Sequence, residues 1–244
     1  MKLTKLSRSI EGKVAIVTGA ASGMGRSTAC LFAEQGASVA VTDINREPLD
    51  DVVKEISEAG YPVRGWSLDV SSREAIGQVV PEIAEHFGGI DILINNAGIM
   101  GQGSATRGNI DYTAWQNCLS TNVLGPTRVA ETFADNIIAS KQRKLITISS
   151  RMGSIAATSA PNSIVYRSSK AAVNMVMKIL ANDLGPQGVI VTSFHPGWVR
   201  TDMGGSTAPI LPQDSARCIR QIIAKLGPSN NGAFLNYDGE TIPW

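Results

Sequence analysis

Short runs of β-branched and aliphatic residues alternate along the chain with longer segments in which apolar residues recur at helical spacing. The short runs predict strands at residues 14–17, 38–42, 63–68, 90–94, 144–148, 189–194 and 233–237. The longer segments predict helices at about 25–35, 47–59, 73–87, 112–139, 163–184 and 213–226. This alternation is typical of a parallel sheet with helices on both faces. The pattern therefore predicts an α/β, doubly wound fold with a seven-stranded parallel sheet.

The chain of 244 residues, 43% of them hydrophobic, is long enough for one large core. No composition shift, low-complexity tract or internal repeat indicates a linker, so a single domain over 1–244 is predicted, with 1–11 as an amino-terminal extension. The segments 98–110 and 196–212 are rich in glycine or proline and follow predicted strands. Doubly wound sheets bind ligands at strand ends, and we expect 198–212 to act as a lid over the substrate.

The charge pattern indicates a small-molecule partner. The formal net charge is +1 and no block of like charges occurs, which favours neither nucleic-acid binding nor a polybasic membrane contact. The three cysteines, Cys30, Cys118 and Cys218, are widely spaced and indicate neither a disulfide framework nor a zinc site. No apolar stretch has the length of a membrane span or a signal peptide, so we expect a cytoplasmic protein.

A glycine-rich turn, "TGAASGMG", lies between the first predicted strand and the first helix. Gly19, Gly23 and Gly25 would let the backbone approach a pyrophosphate, and the amino terminus of the helix offers unpaired N–H groups. The Ser22 hydroxyl is a further donor. The turn lacks the Gly-Lys-Ser/Thr of an ATP-binding P-loop. Taken alone, the motif is a weak indication, and a turn without a ligand is the alternative interpretation.

The second predicted strand ends at Asp43, 18 residues after Gly25. An acidic residue at this distance is expected to accept hydrogen bonds from the adenosine ribose, and its charge would repel a 2′-phosphate. This favours NAD over NADP. Two alternatives stay open: Arg26 or Arg46 could reach a phosphate, and Asp43 could simply cap the next helix.

Tyr166 and Lys170 lie one turn apart on a predicted helix. A phenol titrates near ~10, and we expect the neighbouring ammonium to favour the phenolate, so that Tyr166 exchanges a proton with a substrate oxygen. Such a pair also occurs by chance on exposed helix faces. Other polar groups predicted at the same sheet edge favour the catalytic interpretation, namely Ser149 and Ser150, the "NNAG" run at 95–98, Asn122 and Thr201. Asn122 is a poor helix former that could bend its helix and hold a water.

Together these motifs resemble the short-chain dehydrogenase/reductase family over nearly the whole chain. The matching elements are "TGAASGMG", Asp69 with Val70, "NNAG", Asn122, Ser150, Tyr166 with Lys170, and "PGWVRT" at 196–201. The resemblance implies a Rossmann fold and an NAD(P)-dependent oxidoreductase of alcohols and carbonyls, assembled as a homodimer or homotetramer.

The resemblance also implies roles for individual residues. Tyr166 would be the acid/base, Lys170 its electrostatic partner, Ser150 the donor to the substrate oxygen, and Asn122 the residue that orders a relay water. The predicted cofactor-binding residues are Gly19, Ser22, Gly23, Met24, Gly25, Asp43, Asp69, Val70, Asn95, Ala97, Gly98, Tyr166, Lys170, Pro196, Gly197, Val199 and Thr201.

The interval of 16 positions from Ser150 to Tyr166 is long for the family and predicts an extra loop above the site. We expect the substrate pocket to include Met100, Met152, Ile155, Trp198 and Met203, a largely apolar set that favours a hydrophobic ketone, aldehyde or secondary alcohol. Each of these side chains could instead pack in the core.

The carboxyl-terminal half resembles the branch that contains the sniffer carbonyl reductases and the C-factor signalling protein. This leaves open an alternative function, a dinucleotide-binding regulatory protein in which turnover is incidental. The histidines, His86 and His195, have no third ligand or nucleophile near them in sequence, so they are interpreted as capping or packing residues rather than metal ligands.

Overall fold

Seven parallel strands form one sheet in the computed structural model, which describes residues 9–244. The strands are Val14–Thr18 (β1), Ser38–Asp43 (β2), Val63–Ser67 (β3), Ile92–Asn95 (β4), Lys144–Ile148 (β5), Ile190–His195 (β6) and Ala233–Asn236 (β7). Their order is β3-β2-β1-β4-β5-β6-β7, so the winding direction reverses between β1 and β4. The predicted doubly wound fold is confirmed. Most of the predicted extension lies outside the described residues, which begin at residue 9.

The helices connect successive strands, as parallel pairing requires. They are Gly23–Glu34 (α1), Arg46–Glu58 (α2), Arg73–Phe87 (α3), Tyr112–Leu119 (α4), Gly125–Ala139 (α5), Ile164–Leu184 (α6) and Pro212–Ile223 (α7). Among residues 9–244, none of these helices is both long and apolar enough to cross a membrane.

The helix predicted over 112–139 is interrupted. A π-helical turn, Ser120–Leu124, separates α4 from α5 and contains the buried Asn122. The Asn122 side chain hydrogen-bonds both the N–H and the C=O of Ile99, each at 2.8 Å. These bonds tie the turn to the loop after β4, which explains why the helix departs from regular geometry here.

The core lies on both faces of the sheet, because adjacent strand residues point to opposite sides. On β1, Ala15 and Val17 pack in the cluster beneath α1 and α7, whereas Ile16 packs in the cluster beneath α3, α5 and α6. With both faces covered by helices, the carboxyl edge of the sheet is left for ligand binding. The polar residues at the ends of β1, β2, β4, β5 and β6 meet there.

Candidate active site

A cavity of about 850 Å³ lies along the carboxyl edge of the sheet. Its walls come from the ends of β2 and β3 on one side, the glycine turn before α1, and the ends of β5 and β6 on the other side. This volume is within the range of small-molecule and cofactor sites. The cavity therefore joins the motifs that the sequence had placed at separate strand ends.

Most of the predicted site residues line this cavity. They are Gly19, Ser22, Gly23, Met24, Asp43, Asp69, Val70, Ala97, Gly98, Met100, Ser150, Met152, Tyr166, Lys170, Pro196, Gly197, Trp198, Val199, Thr201 and Met203. Gly25, Asn95, Asn122 and Ile155 do not line it.

Three of these residues, Gly25, Asn95 and Ile155, lie outside the cavity wall for separate reasons. Gly25 packs against the turn itself, where an added Cβ would lie 2.0 Å from the Gly19 carbonyl oxygen. Asn95 is buried and donates to the Pro126 carbonyl at 3.1 Å. Ile155 is 78% exposed, because the turn around it is bonded to the carboxyl-terminal segment and directs its side chain to solvent. The prediction of Ile155 as a pocket residue thus finds no support in this geometry.

The glycine turn requires glycine on steric grounds. Gly19 and Gly23 have φ of +65° and +53°, and a Cβ on Gly19 would lie 2.7 Å from the Ala97 Cα. Asn96 fixes the turn by donating from Nδ2 to the carbonyls of Thr18 and Gly19, at 2.9 and 3.0 Å. The turn therefore lies against the end of β4 and directs the amino terminus of α1 toward the cavity.

Ser22 occupies the N-cap position of α1 without a side-chain capping bond. The first N–H groups of a helix have no partner within the helix and carry partial positive charge. With Gly23 also lining the cavity, this end of α1 has the geometry of an anion site, and a pyrophosphate fits it. The residues present thus fit a dinucleotide.

Asp43 is buried at the end of β2, and both carboxylate oxygens accept backbone hydrogen bonds. Oδ2 accepts from the Ala21 N–H at 3.0 Å and Oδ1 accepts from the Asn45 N–H at 2.9 Å. These bonds hold the charge rigidly at the cavity wall, beside the glycine turn. The two arginines near this end are already paired, Arg26 with Glu55 at 2.8 Å and Arg46 with Asp50 at 2.9 Å.

Tyr166 and Lys170 face the cavity from the first turns of α6, opposite Ser150 at the end of β5. Burial raises the pKa of Tyr166 to about 12, and the interaction with the Ser150 side chain opposes part of this rise. The predicted shift toward the phenolate is not seen: desolvation raises the pKa of Tyr166, so the phenol keeps its proton at neutral pH.

Lys170 is itself buried, and its Nζ donates to the Ile148 carbonyl at 3.0 Å. Burial lowers the pKa of Lys170 to about 8. Its Nζ lies 5.6 Å from the centroid of the Tyr166 ring. Holding an ammonium in this position is costly, and since both side chains are buried, Tyr166 and Lys170 are not an exposed surface pair.

Asn122 holds the loop after β4 beneath this pair. Besides its bonds to Ile99, its Nδ2 donates to the Ser169 hydroxyl at 3.0 Å, and that hydroxyl donates to the Tyr166 carbonyl at 2.8 Å. Every polar atom of the Asn122 side chain is thus bonded to protein groups. Its predicted role in ordering a water stays a prediction, while its contacts hold α6 against the loop after β4.

Several residues that line the cavity were not predicted. Asn96, Arg151, Arg167 and His195 are the polar ones with most chemical interest. Asn96 belongs to the quoted "NNAG" run, and His195 lies directly before the "PGWVRT" motif. Their positions next to predicted site residues therefore indicated that both could lie at the site. His195, interpreted from the sequence as a capping or packing residue, lines the cavity, whereas His86 packs against Trp66 and Phe87.

The family model for short chain dehydrogenases matches residues 13–209. The chain belongs to this family. Among curated relatives, the C-signal protein of Myxococcus xanthus is 40% identical over 157 residues, which cover 64% of this chain and 94% of that protein.

Solved structures of this family superpose closely. The carbonyl reductase Sniffer of D. melanogaster has a TM-score of 0.87 and 32% identity, with coverage of 96% of this chain and 100% of that one. A short chain dehydrogenase from Burkholderia cenocepacia in complex with NADP has a TM-score of 0.84 and 28% identity, with coverage of 94% and 98%. A similar hydroxysteroid dehydrogenase structure contains NADH. This short chain dehydrogenase is therefore an NAD(P)-dependent oxidoreductase of the alcohol dehydrogenase and carbonyl reductase type.

Proposed function

We propose that this protein uses NAD to interconvert a hydrophobic carbonyl compound and its alcohol, with Tyr166 as the proton donor and acceptor. The observation that carries the proposal is the buried Tyr166 phenol beside Ser150 on the wall of a cavity of dinucleotide size. The nicotinamide, when bound, supplies or accepts the hydride. The residues of this chain bind and orient the reactants and move the proton.

In the reducing direction, Tyr166 donates its phenolic proton to the carbonyl oxygen as that oxygen gains negative charge. A pKa of about 12 keeps the phenol protonated until the reaction creates this stronger base. The Ser150 hydroxyl donates a second hydrogen bond to the same oxygen. The Lys170 ammonium stabilises the phenolate that Tyr166 becomes, and a proton from solvent then restores the Tyr166 phenol.

The choice of NAD over NADP is supported by charge. The fixed Asp43 carboxylate would repel a phosphate on the adenosine ribose, and the ion pairs of Arg26 and Arg46 leave these cations neutralised by their own carboxylates. Similar structures contain either cofactor, so the preference rests on these residues.

The predicted homodimer or homotetramer is supported by exposed apolar residues on one side of α6. Met175 and Ile179 are 62% and 57% exposed and lie one turn apart. A pair of α6 helices from two copies would cover them.

We propose the cytoplasm as the compartment, since Cys30, Cys118 and Cys218 are all free thiols.

No contact among the described residues supports the alternative regulatory function, which rests only on the likeness to the C-signal protein.

A turnover assay with NADH, NADPH and a panel of aryl ketones and secondary alcohols tests the proposal. We expect ketone-dependent oxidation of NADH to exceed that of NADPH. Tight binding of NADH without turnover of any compound would favour the alternative, and faster turnover with NADPH would contradict the cofactor assignment.

A further inference from the structure

We propose that the substrate carries an oxyanion, such as a carboxylate, next to its reacting carbonyl, and that Arg151 and His195 bind it. The inference rests on the proposed function and names the substrate class of the same cavity. It adds a charged group to the otherwise apolar pocket formed by Met100, Met152 and Met203.

The two residues are placed together by the sheet. The N–H of Ser149, after β5, donates to the carbonyl of Phe194 in β6 at 2.7 Å, so the two strand ends lie side by side. Arg151 follows Ser150, and His195 is the last residue of β6. Both line the cavity beside the residues that would hold the reacting carbonyl.

The Arg151 side chain is exposed at the cavity wall. Its guanidinium forms no hydrogen bond or ion pair within residues 9–244. Some exposed arginines among residues 9–244 do pair with a carboxylate, such as Arg26 with Glu55 and Arg217 with Asp214. A second guanidinium, that of Arg167, also lines the cavity, and its Nε donates to the Asn162 carbonyl at 3.0 Å. The wall around Tyr166 is therefore rich in cationic donors.

His195 offers one ring nitrogen to the cavity. Its Nδ1 is buried without a hydrogen-bond partner, which leaves Nε2 as the nitrogen that faces the cavity. Burial, and secondarily the charge of Arg151, lowers the pKa of His195 to about 4, so the ring is neutral near neutral pH. A buried N–H without a partner is rarer than an unpaired acceptor, so the proton belongs on Nε2, which then donates toward the ligand.

Among residues 9–244, no carboxylate forms an ion pair with Arg151 or His195. Asp238 lies near His195, but its oxygens accept from the Asn236 side chain at 2.7 Å and the Glu240 N–H at 3.0 Å. Asp202 also lines the cavity. It lies beside Ser22 and Gly23, at the start of α1. A neutral ketone would leave the Arg151 and His195 donors unused, whereas an oxyanion accepts from both.

The test compares benzoylformate, its neutral ethyl ester and acetophenone, which differ only in the group beside the carbonyl. Two measurements are made on wild type, Arg151→Met, His195→Leu and the control Arg73→Met; Arg73 is an exposed arginine at the start of α3 that does not line the cavity. The first is kcat/KM with NADH for each compound. The second is the dissociation constant of benzoylformate in the presence of NAD, by titration calorimetry.

We expect Arg151→Met to weaken benzoylformate binding and to lower its kcat/KM by about tenfold or more, while acetophenone changes by less than about twofold. His195→Leu should lower kcat/KM for both the acid and the ester, and Arg73→Met should change neither. Equal losses for the acid and acetophenone, or unchanged benzoylformate affinity in Arg151→Met, would overturn the inference.

The same data separate this inference from the proposed function. If wild type binds benzoylformate through Arg151 yet reduces none of the three compounds, the reaction assignment fails and the oxyanion site stands. If acetophenone is reduced while benzoylformate neither binds nor reacts, the oxyanion site fails and the reaction assignment stands.

Discussion

Replacing Lys170 by methionine is expected to stabilise the ligand-free protein near neutral pH while abolishing its function. Burial lowers the pKa of Lys170 from 10.5 to about 8, a difference of about 2.5 units. Each unit corresponds to about 1.4 kcal/mol, so holding the ammonium in the folded state costs about 3 kcal/mol below pH 8. Methionine fills the same volume without charge but loses the bond to the Ile148 carbonyl, worth about 1 kcal/mol.

The sign of the pH dependence follows from the lowered pKa. Below its folded pKa of about 8, Lys170 is charged in both states, and the folded state bears the whole cost. Between about pH 8 and pH 10.5 the folded protein releases this proton before the unfolded chain does, so wild-type stability rises with pH. The variant lacks this rise, so we expect it to be more stable by about 2 kcal/mol at about pH 7 and equal at about pH 9.5.

Equilibrium unfolding by urea at several pH values, monitored by tryptophan fluorescence, measures this difference. Lys178→Met is the matched control, because Lys178 lies on the same helix and its Nζ is only half-buried against the Gly232 carbonyl. The control should follow the wild-type pH profile. A gap between wild type and Lys170→Met that stays the same from about pH 7 to pH 9.5 would refute the assigned burial cost.

Two further predictions concern the cofactor and the loop 198–212. Asp43→Ser should raise the affinity for NADPH relative to NADH by about tenfold, as measured by fluorescence titration. The control variant is Asp135→Ser, at an exposed position on α5. An unchanged ratio of the two affinities in Asp43→Ser would show that Asp43 does not select the cofactor. NADH should slow tryptic cleavage at Arg200, since Val199 and Thr201 line the cavity and Gly205 has a φ of +80°. Cleavage at the same rate with and without NADH would count against a lid.

The seven-stranded parallel sheet was predictable because the strands are short, apolar and separated by segments of helical periodicity. Parallel strands buried on both faces need continuous apolar runs, and the glycine turn after β1 was visible as a motif. The break between α4 and α5 was harder to predict. It depends on bonds between Asn122 and Ile99, which are 23 positions apart in sequence.

The candidate site was predictable where a residue type carries its own chemistry, as for Tyr166, Lys170 and Asp43. The electrostatic state of the site was not, because burial determines it. The sequence places an ammonium beside a phenol, but only the packing shows that desolvation raises the pKa of Tyr166 and lowers that of Lys170. The outward direction of Ile155 likewise depends on bonds between its loop and Trp244, far away in sequence.

The role of Tyr166 is tested most directly by single-turnover reduction of a ketone substrate with NADH by wild type, Tyr166→Phe and Tyr112→Phe. Tyr112 is 68% exposed on α4 and serves as the control. Tyr166→Phe should slow hydride transfer by about 100-fold or more with little change in NADH affinity, whereas Tyr112→Phe should match wild type. Hydride transfer at the wild-type rate in Tyr166→Phe would contradict the central assignment of the catalytic proton to this phenol.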